Sequence, residues 1–360
     1  MTKHFLAKRL LPLLPALLFL LLPLKAEAAG DDDFYKDKSW EDLAAIVIAE
    51  TEATEQTAAL GYINTVTGEE HYYNGDSYFA GASLYKLPLN MYCAEQITRG
   101  ERSWDSETRG RPYREIQSSS LTYSNNPLSL ALVSELGGWQ EFRTLIASYV
   151  GEDPADEDYT LRHNLFTARQ MTRCAALLAR ESDRFPGVVD CLLESAPTRF
   201  FNYADLPYDV AQKYANNIED GNVFHAAGII YTDDPIALVV LTGNLASQRL
   251  IMERYCELMC GYTQYQRSLR LEEEARLAAE AAREAAEQDA AQRAAEEEAA
   301  RLAAEEEAAR LAEEAAIRRE AEALAAERSA QRQRLALCIT AAALVAAGCI
   351  VALFILHKRK

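Results

Sequence analysis

Apolar and polar positions fall into three regimes along the 360 residues. Residues 1–28 hold a near-continuous apolar run, Leu10 to Leu22, behind Lys3, Lys8 and Arg9. From Trp40 to about Tyr262, apolar residues come in short periodic groups broken by Gly, Pro and polar clusters. After Gln266 the chain turns to Ala, Glu, Arg, Leu and Gln, until Leu335 opens a second uninterrupted apolar run.

The middle regime predicts mixed elements. Leu43, Ile46, Val47 and Ile48 give Trp40 to Glu55 a helical spacing. Two β-prone runs, Ala58 to Ile63 and Glu70 to Tyr73, flank Thr67-Gly68 and read as a hairpin. A helix follows from Ser83 to about Gly100, and residues 101–118, polar and punctuated by Gly and Pro, read as loop. Further helices are predicted at Leu128 to Leu136, Phe142 to Val150, Phe166 to Ala179 and Val188 to Ser195, with an acidic irregular stretch from Gly151 to Asn164. Strands at Val210 to Lys213, Val223 to Tyr231 and Ile236 to Thr242 precede a closing helix, Ser247 to Cys260. Strands, a helical block, more strands and a last helix define an α+β domain over residues 40–265, an antiparallel sheet flanked by a helical block.

The outer regimes predict location. A basic start, an apolar stretch and Ala26-Glu27-Ala28 make residues 1–28 a signal peptide, with 29–39 as an acidic lead-in. Residues 266–334 are strong helix formers without Gly or Pro, supported by i,i+4 pairs such as Glu297 with Arg301 and Glu306 with Arg310. About 70 helical residues would extend roughly 105 Å. A semi-rigid stalk is the first reading, a loose self-associating coiled coil the second, and a disordered linker the third, because the Leu spacing keeps no heptad. Residues 335–356 lack charge, and as helix they cover roughly 33 Å, enough for a bilayer. The basic tail 357–360 would stay cytoplasmic. The expectation is a single-pass cell-membrane protein whose body is extracytoplasmic.

Charge and cysteines narrow the chemistry. A net charge of −18 argues against a nucleic-acid partner. Of seven cysteines, Cys338 and Cys349 lie in the apolar run, while Cys93, Cys174, Cys191, Cys256 and Cys260 read as buried small hydrophobes. None of the five histidines stands in ligand spacing with cysteine, so neither a metal nor a cofactor is expected.

Candidate chemistry starts at Ser83-Leu84-Tyr85-Lys86. Three residues apart on a helix, Ser83 and Lys86 share a face, and a desolvated lysine amine can take a serine proton. The plain structural reading is an N-cap serine and a surface lysine. Two later features add weight: Ser124-Asn125-Asn126, a polar turn before a helix, and Lys213 on a strand. The plain reading of the turn is a helix cap.

S-x-x-K, then S-x-N, then a strand lysine, in that order, resembles class A β-lactamases and penicillin-binding proteins. The resemblance spans about Trp40 to Tyr262 and includes Phe79-x-x-x-Ser83 and the closing strands. It implies that Ser83 is the acylated nucleophile, Lys86 its base, and Ser124 the proton relay to the leaving nitrogen. It also implies that Asn126 holds a substrate amide and that Lys213 attracts the substrate carboxylate. The backbone N–H groups of Ser83 and of a residue near Asn216 would form an oxyanion hole.

Two departures stand out. The third motif is Lys213-Tyr214-Ala215, where the family has Lys, Ser or Thr, then Gly. Four residues before Asn164, where the family's water-activating Glu would fall, stands Thr160, with Glu157 and Asp158 nearby. His225, within a strand, reads as structural or as a carboxylate contact. The first functional reading is a membrane-anchored serine hydrolase acylated by β-lactams. A slow D-alanyl peptidase acting on peptidoglycan is the second. A non-catalytic module that binds peptidoglycan or a partner is the third.

Overall fold

The computed structural model describes residues 32–219 and 221–358, so the predicted signal peptide, residues 1–28, lies outside it. The chain divides into two compact units, one ending at Glu272 and one beginning at Glu273.

In the first unit a short helix α1 (Asp32–Tyr35) precedes α2 (Trp40–Thr51), whose start is set by a capping box between Ser39 and Asp42. The hairpin follows as predicted: β1 (Ala58–Asn64) and β2 (Glu70–Tyr73). Gly68 at φ +79 turns the chain, and Asn64 Oδ1 accepts from the amides of Val66 and Thr67. Next come β3 (Phe79–Ala80), α3 (Lys86–Thr98), a small hairpin of β4 (Glu107–Thr108) and β5 (Arg111–Pro112), and α4 (Tyr113–Leu121). The helical block continues with α5 (Asn126–Glu135), α6 (Trp139–Val150), α7 (Glu157–Thr160), β6 (Leu165–Phe166), α8 (Ala168–Arg180) and α9 (Val188–Leu193). Three strands, β7 (Val210–Asn217), β8 (Val223–Ile230) and β9 (Ile236–Thr242), lead into α10 (Gln248–His357).

The five long strands form one antiparallel sheet in the order β2-β1-β9-β8-β7, so β7 is an outer strand. Successive side chains leave opposite faces. Ala227, Ile229, Val239 and Leu241 join a core with α3, α6 and α8, whereas Phe224, Ala226, Leu238 and Val240 join a second core with α2 and the start of α10. Cys93, Cys174, Cys256 and Cys260 are buried and unpaired, and Cys191 is half-buried.

Several predicted boundaries move. The helix expected from Ser83 begins only at Lys86, with Ser83 in the turn before it, and α2 ends at Thr51 rather than Glu55, where Glu52 turns left-handed at φ +51. Within 101–118, read as loop, α4 begins at Tyr113, because its buried stripe includes the polar Gln117 and Ser120 and so hides its period. Strand β7 runs to Asn217 rather than stopping at Lys213, since pairing down to Asn217↔Val223 satisfies a backbone that Asn-Asn does not advertise. A helical turn, α7, interrupts the irregular acidic stretch. Helix α10 passes Cys260 without a break, and Gly261 is kept because the Tyr35 ring lies against it, where a Cβ would collide.

Residues 273–357 of the second unit are helical, and the side chains described there are exposed. Among the described residues, one helix is long and apolar enough to cross a membrane.

Candidate active site

Ser83 sits in a tight turn just before α3, with the Lys86 amide donating to Ser83 O. The residue before it, Ala82, is held at φ +45, which costs a non-glycine residue energy and aims the following side chain. The turn is fixed from below. Asn164 Nδ2 donates to Ala82 O at 3.0 Å, and the Gly81 amide donates to Asn164 O at 2.7 Å. Gly81 leaves no room for a Cβ, which would lie 2.8 Å from Asn164 Oδ1.

Lys86, first residue of α3, is fully buried. Its Nζ has four oxygen neighbours: Ser83 Oγ at 2.9 Å, Ser124 O at 2.7 Å, Asn126 Oδ1 at 2.5 Å and Ser124 Oγ at 3.2 Å. Burial pushes its pKa down to about 8. The two carbonyl oxygens require N–H donors. A neutral amine supplies those two and keeps its lone pair for a hydroxyl proton.

Ser124 adopts φ +57 in the turn before α5. Asn125 caps that helix by accepting from the Leu128 amide, which confirms the plain reading for Asn125 while leaving Ser124 and Asn126 to the site. Lys213, also fully buried, donates to Ser124 Oγ at 3.2 Å and to Tyr214 O at 2.8 Å. Burial, then the nearby Lys86, hold its pKa well below the ordinary lysine value. Among the described residues no carboxylate hydrogen-bonds to either amine, so a hydroxyl lies between two lysines without a counter-ion.

The structure thus brings together Ser83, Lys86, Ser124, Asn126 and Lys213 from three separated segments. Tyr214 follows Lys213 on the outer strand, its ring 4.1 Å from Lys213 Nζ and stacked on Phe200 at 4.8 Å. Asn216 is exposed, two residues further along β7. Glu157 and Asp158 are also exposed, while Thr160 is buried with its hydroxyl donating to Glu157 O at 3.2 Å. His225 is structural: Nε2 lies 2.9 Å from Ala80 O and Nδ1 accepts the Thr242 amide at 2.9 Å. Burial pushes its pKa down to about 4, so the ring is neutral and pins β3, just ahead of Ser83, to the sheet.

Sequence reasoning missed the supports. Asn90 Nδ2 donates to Lys86 O at 2.7 Å and to Ser120 Oγ at 2.8 Å, and Ser129 Oγ joins Ser120 Oγ at 2.8 Å and Asn125 O at 2.5 Å. This buried chain links three helices behind the site and sets the Ser124 turn. A polar residue one helical turn after Lys86 was the available signal.

The geometry can be set against known proteins. A family model described as the β-lactamase enzyme family matches residues 38–132. No curated protein matches the chain. Among solved structures, the chain is similar to the TLA-1 extended spectrum β-lactamase, at 13% identity over 63% of this chain and 99% of that one, with a TM-score of 0.53. It is similar to the TLA-3 extended-spectrum β-lactamase, at 13% identity over 62% and 99% of the two chains, TM-score 0.51. A class A β-lactamase of the last common ancestor of Gram-negative bacteria gives 17% identity over 60% and 97%, TM-score 0.50. The body has a β-lactamase-like fold, an α+β domain with one antiparallel sheet and a helical block.

Proposed function

We propose that the protein is a membrane-anchored serine acyl-transfer enzyme, acylated at Ser83 by β-lactams. The observation that carries this is Lys86 Nζ, buried, bonded to no carboxylate among the described residues and 2.9 Å from Ser83 Oγ. Ser83 Oγ attacks the acyl carbon, and its proton passes to Lys86 Nζ. As the scissile C–N bond breaks, Ser124 gives its proton to the leaving nitrogen and recovers one from Lys86 at 3.2 Å. Lys213 polarises Ser124, Asn126 orients the substrate amide, and backbone amides at Ser83 and Asn216 hold the oxyanion. Helix 335–356 spans the membrane, holding the body on the extracytoplasmic side, where peptidoglycan is within reach.

A second reading is favoured by Thr160. With no carboxylate among the described residues bonded to the site, water has no strong activator there, and the acyl-enzyme is long-lived, as in a slow D-alanyl-D-alanine peptidase. The test is intact-mass spectrometry of the full chain in detergent after exposure to a penicillin, beside Ser83→Ala. Adduct on the wild type alone supports the nucleophile; decay within minutes supports β-lactam hydrolysis and persistence for hours the peptidase. No adduct at high ligand sinks both and leaves a binding module.

A further inference from the structure

The Tyr214 position, where the family resemblance implies a small hydroxyl beside the substrate carboxylate, is filled by an aromatic stack. The Tyr214 ring lies on Phe200 with centroids 4.8 Å apart and planes at 25°, and Phe200 lies on Phe224 at 4.3 Å and 21°. The stack is built into the fold. Phe200 is held at φ +59, a costly conformation for a bulky side chain. Buried Gln212 on β7 fixes that segment, accepting from the Phe201 amide at 3.0 Å and donating to Ala196 O at 3.1 Å and Arg199 O at 3.0 Å.

The stack changes what Lys213 can do. Its Nζ is directed at Ser124 Oγ, at Tyr214 O and at the face of the Tyr214 ring, 4.1 Å from the centroid, and the residue is fully buried. All of its partners are internal. The adjacent strand supplies no replacement, because β8 has one titratable side chain, His225, and both its ring nitrogens are committed to backbone. On β7 and β8 no cationic side chain remains to receive an anion. A carboxylate placed there would gain no buried charged donor: the cation on the stack, Arg199, is exposed to water, its guanidinium 5.3 Å from the centroid of the Phe200 ring. The pKa of Lys213, held low by burial and by Lys86, weakens its field further.

We infer that Ser83 takes its acyl group preferentially from donors that are neutral on the leaving-group side: esters, or amides and β-lactams whose carboxyl group is blocked, over the same compounds with a free carboxylate. This rests on the reading of Ser83 as the nucleophile. Tyr214 is then the residue that sets the preference, by replacing a hydroxyl donor with a ring.

The test uses the full chain in detergent and a matched pair, a penicillin and its methyl ester. The second-order rate of Ser83 acylation is followed by intact mass and divided by each compound's uncatalysed hydrolysis rate. The ester is expected to be at least tenfold better on the wild type. Tyr214→Phe should keep that ratio, and Tyr214→Ser, which restores a small hydroxyl, should move it at least tenfold toward the free acid. Since the ratio is internal to each variant, a loss of stability cancels. A free acid equal to or better than its ester on the wild type overturns the inference, and so does an unchanged ratio in Tyr214→Ser. If neither compound nor an uncharged p-nitrophenyl ester labels Ser83, the nucleophile reading itself has failed.

Discussion

Removing the proton from Lys86 is the step on which the proposed chemistry turns, and its cost follows from burial. An ordinary lysine at pKa 10.5 is almost wholly protonated at neutral pH, and burial brings this one to about 8. At 1.36 kcal/mol per tenfold change, that difference makes the neutral amine about 3 kcal/mol cheaper, roughly a 300-fold larger fraction near pH 7. The neutral form is also the one that satisfies its neighbours, giving N–H to Ser124 O and Asn126 Oδ1 and a lone pair to Ser83. Acylation should therefore rise with pH, reach half its maximum near pH 8 and level off above it. Because Lys213 shares the Ser124 hydroxyl, the apparent value belongs to the pair. Lys86→Arg keeps charge and donors but cannot lose its proton, and should slow acylation by about 10²–10⁴-fold. The assay is stopped-flow or quenched intact-mass kinetics from pH 5 to 11. A rate still climbing tenfold per pH unit beyond pH 10, or Lys86→Arg retaining more than a tenth of the rate, would refute the reasoning.

Three further outcomes follow from the packing. Gly81→Ala puts a Cβ 2.7 Å from Phe166 Cδ2 and 3.0 Å from Asn164 O, so denaturant titration should show a loss of about 1–3 kcal/mol, with slower Ser83 acylation as the turn shifts. Gln212→Ala strips buried partners from Phe201 N, Ala196 O and Arg199 O, and should cost about 3 kcal/mol in the same measurement. His71 stacks on Trp40, with one ring nitrogen 3.1 Å from Glu41 and the other 2.8 Å from Glu69, which also accepts from Tyr262. Only the imidazolium donates to both carboxylates, and the hydrogen bond to Glu69 leads the causes that raise its pKa. Its stabilisation should be complete below about 6.5, the usual histidine value, and be lost as pH rises through the higher folded value. Urea midpoints between pH 5.5 and 9 should fall on the alkaline side in the wild type relative to His71→Gln, and parallel curves would dismiss the link.

The strands and most helices were legible in the sequence because each buries one face, so burial is written as a period of two or of 3.6 residues. Leu43 and Val47 announce α2, and Gly68 announces its hairpin, without help from the rest of the chain. The order Ser83, Lys86, Ser124, Asn126, Lys213 was likewise readable, as was the composition change that precedes the apolar run at Leu335. Helix α4 was hidden because its buried stripe contains Gln117 and Ser120, which are satisfied by partners distant in sequence. Only the tertiary structure decided the state of the site. Whether Lys86 is a surface cation or a buried base depends on what covers it, and that cover comes from residues 38 and 40 positions away. Whether Tyr214 is a donor or a wall depends on Phe200, held in place by a glutamine on the same strand. The sequence determined which side chains were available. Desolvation, and the counter-ions that never arrive, are properties of the folded neighbourhood, and these decide what the side chains can do.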